Sequence, residues 1–291
     1  MRRLLIFALL FSCSINLQTQ EITQSDKVKT ELSSVADNLK DNDFFIVGQL
    51  HDNMANTLIE KDILFSLDKR FGVRYDILEY AESAAFLLNQ YLNTGNDSLL
   101  LIINPKAGFN FIASVKKFND TTHLRKIKFY GLDFEDRNNG RDTKKALEII
   151  LKDTGIRVNH PLNGFLERII NCPSNQMEKS ITKLKNYINS NQSKCRGLLS
   201  KYYIPVLLIA NAKYHFVLKR SKFMFDNFQL LYNELSREKS PLKFLCSFGM
   251  GHIMPNNKNS FSMRLLISSY SPVKGSVAII GIQYYNCSFY T

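Results

Sequence analysis

The chain has 291 residues, of which 45% are hydrophobic and 22% are charged. This composition excludes a disordered or collagen-like chain and predicts a globular protein with a hydrophobic core. The formal net charge of +12 favours anionic partners in general. The lysines are scattered, however, and no nucleic-acid-binding motif is present, so no nucleic-acid partner is predicted.

The first twenty residues have the pattern of a secretory signal peptide. Two arginines precede an unbroken apolar run, Leu4 to Phe11, and small polar residues follow as far as Gln20. The run is shorter than the roughly 20 apolar residues that a membrane-spanning helix needs. A buried N-terminal strand or helix is the alternative. The sequence therefore predicts that residues 1–20 are removed on export and that the mature chain has no membrane span.

The cysteines bear on the same prediction. Leu10 to Cys13 resembles a loose lipobox, in which Cys13 would carry a lipid anchor, so a membrane-anchored lipoprotein stands beside a periplasmic or secreted protein. Four other cysteines remain, an even number that permits disulfides in an exported chain. Cys172 and Cys195 flank one helical stretch that a disulfide could staple. Cys246 lies in an apolar run and is predicted to be a buried thiol.

Apolar runs alternate with segments of helical periodicity along the rest of the chain. Strands are predicted at residues 43–50, 75–80, 126–135, 241–248, 263–269 and 276–285. Helices are predicted at residues 21–42, 56–70, 83–92, 141–152 and 203–238, and within 96–120, which is broken at Asn104-Pro105.

This alternation predicts an α/β fold of three layers, with a mostly parallel central sheet and helices on both faces. Residues 155–200, approximately, contain no strand pattern and are predicted to be a helical insertion. Residues 21–291 are therefore predicted to form a single α/β domain.

Polar residues cluster where the predicted strands end, which is where parallel sheets bind ligands. The residues concerned are Gln49, His51, Glu79, Glu82, Asp133 and His252. Imidazole titrates near neutrality and a carboxylate can orient it, so a His/Glu/His cluster suits general acid–base catalysis or a divalent metal. Taken singly, each has a structural alternative as a cap, an ion-pair partner or a turn residue. The remaining histidines, His123, His160 and His215, are predicted to be structural.

Several short motifs, taken in order, resemble the erythromycin esterase-like group, which belongs with the ChaN and Tiki proteins in a broad superfamily. The matching segments, which cover roughly residues 43–255, are Gly48-Gln49-Leu50-His51, the strand ending in Glu79, Gly131-Leu132-Asp133, the helix from Arg220 to Asn227, and Phe248 to His252. The group has Gly-Glu before its first histidine and a helix with the pattern Arg-Asp-x-x-Met-x-x-Asn.

The resemblance implies an exported hydrolase that acts on an ester or similar bond of a small-molecule substrate. His51, Glu79 and His252 would be the catalytic residues. The predicted substrate-binding residues are Gln49, Glu82, Asp133 and Arg220. Tiki-like members imply a divalent metal, for which His51 and His252 are the candidate ligands, and ChaN-like members imply haem or iron.

Two positions depart from the family pattern. Gln49 replaces the glutamate of the first motif and cannot ionise, and Ser221 replaces the aspartate that follows the motif arginine. Glu79, Glu82 or Asp133 could replace a missing carboxylate. A binding protein without turnover, for haem, a metal or an anionic small molecule, therefore stands beside the hydrolase as a second prediction.

Overall fold

A computed structural model describes residues 6–12, 36–50, 56–103, 108–122, 126–135, 140–214, 219–238, 241–254, 257–268, 271–273 and 276–285. The chain divides into two compact units. Unit 1 comprises Met1–Glu79, Pro105–Phe129 and Lys239–Thr291, and unit 2 comprises Tyr80–Asn104 and Tyr130–Glu238. The single domain expected from 21 to 291 stays a prediction.

Within the described residues, six strands form one sheet, in the order β1-β6-β2-β5-β3-β4. They are β1 (Ile6–Ser12), β2 (Phe44–Gln49), β3 (Tyr75–Leu78), β4 (Lys128–Gly131), β5 (Phe244–Gly249) and β6 (Val277–Tyr285). The pairs β1–β6, β6–β2, β2–β5 and β5–β3 all run parallel. The predicted parallel central sheet is therefore confirmed.

Twelve α-helices are described in the ranges given above. They are α1 (Ala36–Leu39), α2 (Asn56–Phe71), α3 (Glu82–Thr94), α4 (Ser98–Ile103), α5 (Phe109–Thr121), α6 (Arg141–Thr154), α7 (Pro161–Asn171), α8 (Met177–Ser190), α9 (Gln192–Leu199), α10 (Tyr203–Ala210), α11 (Arg220–Leu235) and α12 (Phe261–Ile267).

The packing in the core of unit 1 explains why the sequence of β2 is a continuous apolar run. Successive side chains of a strand point to opposite faces of the sheet. Phe45 stacks on Phe71 of α2, with ring centroids 5.8 Å apart, whereas Phe44 packs on Phe261 of α12 at 6.2 Å. Both faces of the sheet are covered by helices, so the strand needs apolar residues on both.

Unit 2 contains most of the helices in the described part of the chain. Between β4 and β5 the described elements are helical, and α7, α8 and α9 occupy the predicted insertion at about 155–200. The long helix predicted over 203–238 is wrong, because α10 ends at Ala210 and α11 begins at Arg220. The Asn211 side chain donates to the carbonyl of Leu207 and satisfies the last turn of α10, which favours termination there.

The strand predicted at 263–269 is also wrong, because Phe261–Ile267 forms helix α12. The Ser260 hydroxyl accepts a hydrogen bond of 3.3 Å from the Met263 amide and caps the helix. The periodicity of a short apolar run does not distinguish a strand from a buried helix. The serine before this run is the signal that indicates a helix.

At the N-terminus the structure has a strand. Ile6–Ser12 pairs in parallel with β6 over the register Ile6↔Ile279 to Ser12↔Tyr285. This strand is the stated alternative to a signal peptide, and removal of residues 1–20 stays a prediction. Cys13, with its predicted lipid anchor, lies outside the described residues.

None of the helices in the described residues is long and apolar enough to cross a membrane. Cys172 and Cys195 are buried free thiols, so the disulfide that could have stapled their helical stretch is not formed, and Cys246 is a buried thiol as predicted.

A glycine substitution tests the packing at the end of β4. A Cβ atom on Gly131 would lie 2.4 Å from the carbonyl carbon and oxygen of Ala81, so the backbone must move. We expect Gly131→Ala to lower the free energy of unfolding by about 1–3 kcal/mol, measured by urea denaturation. Gly164→Ala is the matched control, because that glycine lies within α7 with nothing near its Cβ. The control should be stabilising by up to about 1 kcal/mol, and equal effects of the two changes would contradict the packing.

Candidate functional site

Glu79 and His252 come together at the carboxyl ends of two neighbouring strands of unit 1. Glu79 follows β3, and His252 lies in the helical turn Met250–His252 that follows β5. Glu79 Oε2 accepts a hydrogen bond of 2.7 Å from the Gly249 amide, and its Oε1 lies 3.6 Å from His252 Nε2. Both side chains are 13–14% exposed, so a small ligand can reach a pair that is largely shielded from water.

The strand register explains why these residues meet. Leu78 of β3 is level with Ser247 of β5, so Glu79 emerges beside the last residues of β5. The turn after Gly249 then returns the chain and places the His252 ring edge-on to Phe248, with centroids 6.1 Å apart. The imidazole is therefore held between a carboxylate and an aromatic ring.

The glycine of the first motif has a packing role. A Cβ atom on Gly48 would lie 1.8 Å from Cδ1 of Ile253, which is buried and directly follows His252. The absence of a side chain at Gly48 thus lets the segment after His252 close over β2.

Two more of the residues predicted at this edge lie at the end of β2 and just after it. Gln49 is the last residue of that strand and is level with Gly249 of β5, whose amide binds Glu79. His51 comes two residues later and lies outside the described residues. Its predicted place beside Glu79 and His252 therefore stays a prediction.

In unit 2, the predicted residues Asp133 and Arg220 bind each other. Arg220 Nε donates to Asp133 Oδ1 at 2.9 Å, and a second, shorter contact joins Arg220 Nη2 to Asp133 Oδ2. The guanidinium carbon lies 5.4 Å from the centre of the Phe134 ring. A forked ion pair that stacks on a ring fixes the first turn of α11 against the chain leaving β4.

A second contact fixes the same helix two turns later. Asn227 Nδ2 donates to the carbonyl of Leu132 at 2.9 Å, and Met224 between the two contacts is fully buried. The spacing Arg220, Met224, Asn227 therefore puts three residues of the motif on one helix face. The structure gives this motif an architectural role, and substrate binding by Asp133 and Arg220 stays a prediction.

Glu82, the remaining predicted residue, is 4% exposed and lies in the first turn of α3. Its Oε2 accepts a hydrogen bond of 2.8 Å from the Gly131 amide, and its Oε1 is buried without a hydrogen-bond partner. Burial raises the pKa of Glu82 well above its ordinary value, and the Gly131 amide opposes that rise.

A buried network around Glu135 was not predicted as a site. Its carboxylate accepts hydrogen bonds from the Ser83 hydroxyl and, at 2.9 Å, from the Thr143 hydroxyl, which lies 3.0 Å from the Tyr214 hydroxyl. Burial raises the pKa of Glu135 to about 7, against the lowering effect of the two hydroxyl donors. Ser83 and Tyr214 are far from Glu135 in the sequence, so no local pattern could have revealed the network.

The remaining histidines have a structural role or lie outside the described residues. His160 caps α7 through its Nδ1, which accepts from the Leu162 amide at 3.2 Å, in keeping with a structural role. His123 and His215 lie outside the described residues.

Among the described residues, no group of three or more His, Cys, Asp or Glu side chains has the geometry of a metal site. Glu79 and His252 supply two of the ligands that a metal would need, and a divalent metal or haem stays a prediction.

The Glu135 network predicts a pH dependence of stability. A carboxyl whose pKa rises from 4.5 in the unfolded chain to about 7 in the fold binds its proton more tightly when folded. Stability is therefore lost as the pH rises from about 4.5 to 7, by about 3 kcal/mol in all. Glu135→Gln should be more stable than the parent at pH 8 and similar at pH 4.5, by urea denaturation.

The surface carboxylate variant Asp226→Asn is the control, because Asp226 forms an exposed ion pair with Lys222. It should change stability by a few tenths of a kcal/mol at either pH. A constant difference between Glu135→Gln and the parent across the pH range would contradict the buried titration.

The ion pair at the start of α11 gives a third stability prediction. Arg220→Lys loses the fork and the stacking on Phe134, and we expect it to cost about 1 kcal/mol. Arg220→Leu leaves Asp133, which is 7% exposed, without its cation and should cost about 2–4 kcal/mol in chemical denaturation. Lys222→Leu on the same helix is the control, and a loss as large as that of Arg220→Leu would contradict the anchoring role.

Comparisons with known proteins bear on this architecture. No protein-family model matches the sequence, and no curated protein matches it significantly. A solved Bacillus cereus protein is similar in structure, with a TM-score of 0.60 and 14% identity over 87% of this chain and 68% of that one. A mutant of the erythromycin esterase EreC in its open conformation has a TM-score of 0.61 at 12% identity, covering 87% of this chain and 72% of that one.

A third solved structure, a succinoglycan biosynthesis protein, has a TM-score of 0.54 and 13% identity over 91% of this chain and 75% of that chain. At these identities the similarity concerns the fold. It confirms the predicted resemblance at that level, because the chain shares a three-layer α/β fold with the solved erythromycin esterase.

Proposed function

We propose that this protein is an exported hydrolase of the erythromycin esterase type, which cleaves an ester or similar bond of a small-molecule substrate. The observation that carries the proposal is the Glu79 carboxylate, held by the Gly249 amide and placed 3.6 Å from His252 Nε2. The shared fold with an esterase supports it.

The chemistry follows from the arrangement of the two side chains. The Gly249 amide fixes one oxygen of Glu79, so the other can orient the His252 imidazole and stabilise its charge once the ring takes a proton from water. Because 3.6 Å exceeds the length of a good hydrogen bond, we expect the contact to tighten when substrate is bound. His51, which follows β2, is the proposed second imidazole.

A binding protein without turnover is the second candidate, and Gln49 favours it. In the family pattern this position is a glutamate, whereas an amide at the end of β2 can neither act as a base nor supply a charged metal ligand. The same edge would then hold haem or a metal, with His51 and His252 as the ligands.

The test measures hydrolysis of a panel of small-molecule esters by the purified chain. We expect His252→Ala and His51→Ala each to lower kcat/KM by about 100-fold or more, as removal of a general base does. Glu79→Gln keeps a hydrogen-bond acceptor but loses the charge, and it should lower kcat more than it raises KM. The matched control is Glu178→Gln, a surface carboxylate, which should leave turnover unchanged.

Two outcomes separate the candidates. Turnover that survives His252→Ala would refute the proposed mechanism. No turnover of any ester, together with stoichiometric metal or haem that is lost in the His51→Ala/His252→Ala double variant, would favour the binding protein instead.

A further inference from the structure

We propose that an apolar rim beside Glu79 and His252 binds an uncharged aliphatic group attached to the scissile bond. The inference rests on the proposed function and deepens it, because it names the class of ester that the site would take. All the residues of the rim belong to unit 1. They are Leu50, Met250, Ile253 and Met254.

Two exposed apolar side chains of the rim flank the candidate site. Leu50 directly follows Gln49, the last residue of β2, and is 42% exposed. Met254 comes two residues after His252 and is 43% exposed. Single exposed apolar residues need no explanation, whereas two that flank one site indicate a binding surface. The other large apolar side chains that are exposed within the described residues are Leu101, Phe109 and Val158.

The two chain segments of the rim meet over Gly48. A Cβ atom on this residue would clash with Cδ1 of Ile253 and would lie 3.1 Å from Sδ of Met250. Both side chains therefore cover the same face of β2 at its carboxyl end. The alternation of a strand places the side chain of Leu50, two residues after Gly48, on that face as well. Met254 directly follows Ile253, so the rim is one continuous apolar surface.

Hydrogen bonds to backbone carbonyls hold both segments of the rim in place. Asn56 Nδ2 donates to the carbonyl of Leu50 at 2.7 Å. The Ile253 amide donates to the carbonyl of Met250 at 3.1 Å and closes the turn. The hydroxyl of Ser262, a buried residue of α12, donates to the carbonyl of Ile253 at 2.9 Å. The rim is therefore preformed, and a preformed surface loses little conformational entropy when a ligand binds.

The charges at this edge favour an uncharged ligand. Residues 44–50 and 244–254 contain no Lys, Arg, Asp or Glu, although the chain as a whole has a formal net charge of +12. Arg220, the cation predicted to bind substrate, is paired with Asp133. The carboxylate of Glu79 would repel an anionic substituent on the substrate. An ester with an uncharged group beside its scissile bond therefore suits this edge better than an anionic ester.

The composition and size of the rim favour a short aliphatic group. Two of its four residues are methionines, whose unbranched and polarizable side chains adapt to the shape of an apolar ligand. A protein partner would need roughly 20–30 residues on each side of an interface, far more than the rim provides. Each methylene that contacts the rim should raise kcat/KM by about 2–4-fold.

The experiment compares kcat/KM of the full chain for ethyl acetate, ethyl butyrate and ethyl hexanoate. From acetate to hexanoate we expect a rise of about 15-fold or more. Hexyl acetate is an isomer of ethyl hexanoate, and the better of the two isomers shows whether the aliphatic group lies on the acyl or the alcohol side. Monoethyl adipate has the chain length of the hexanoate but ends in a carboxylate, and it should be a poorer substrate by about 10-fold or more.

Two variants test the rim itself. Leu50→Ser and Met254→Ser should each lower the ratio of kcat/KM for the better six-carbon isomer to kcat/KM for ethyl acetate by about threefold or more. Because the readout is a ratio, a general loss of activity does not imitate the effect. Val158→Ser is the matched control, because it removes an apolar side chain of unit 2 that is 80% exposed, and it should keep the ratio of the parent.

A binding measurement separates this inference from the proposed function. N-ethylhexanamide and N-ethylacetamide are amide counterparts of two of the esters, and calorimetry gives their Kd values without turnover. If no ester is hydrolysed, the proposed function fails, and tighter binding of the hexanamide that is lost in Leu50→Ser and Met254→Ser would still support the rim.

Three results would overturn the inference. The first is ester hydrolysis in which neither six-carbon isomer exceeds ethyl acetate, which would leave the proposed function standing. The second is hydrolysis of monoethyl adipate as fast as that of ethyl hexanoate. The third is the absence of turnover together with no preference between the two amides.

Discussion

Backbone amides at the ends of the parallel strands need acceptors, and in this chain glutamate side chains supply them. A buried amide without a partner costs free energy comparable to that of a lost hydrogen bond. The last backbone amide of a buried strand is in that position unless a side chain accepts from it. Glu79 accepts from Gly249 at the end of β5, and Glu82 accepts from Gly131 at the end of β4. Each carboxylate is thereby fixed by backbone rather than by another flexible side chain.

The two glutamates differ in what the second oxygen meets, and this difference separates a reactive position from a structural one. The second oxygen of Glu79 faces His252, and the Glu79 side chain is 13% exposed, whereas the second oxygen of Glu82 is buried without a hydrogen-bond partner. Glu82 has its pKa raised by burial and serves to end a strand. Glu79 is oriented by the same kind of backbone contact and has an imidazole within reach, which is the more useful arrangement for acid–base chemistry.

The sequence predicted what depends on local pattern. The strands at β2, β3, β5 and β6 and the meeting of Glu79 with His252 followed from apolar runs and from the rule that parallel strands share a ligand edge. The helix at Phe261–Ile267 and the break after Ala210 were missed, because a serine cap and an asparagine at a helix end outweigh the periodicity of short apolar runs. The pairing of Arg220 with Asp133 and the Glu135 network join residues that only the tertiary fold brings together.

The surroundings of Gln49 explain why an uncharged amide suits this position. Its strand neighbour Gly249 already donates its amide to Glu79, and the same sheet contains the buried carboxyl of Asp76 in β3, whose pKa burial raises well above its ordinary value. A further glutamate at 49 would add negative charge to an edge where burial already disfavours ionised acids, whereas the amide adds none. Orientation of His252 depends on Glu79 and the Gly249 amide, neither of which requires a charge at 49. The loss of the motif glutamate therefore removes one possible base or metal ligand while the imidazole keeps its support.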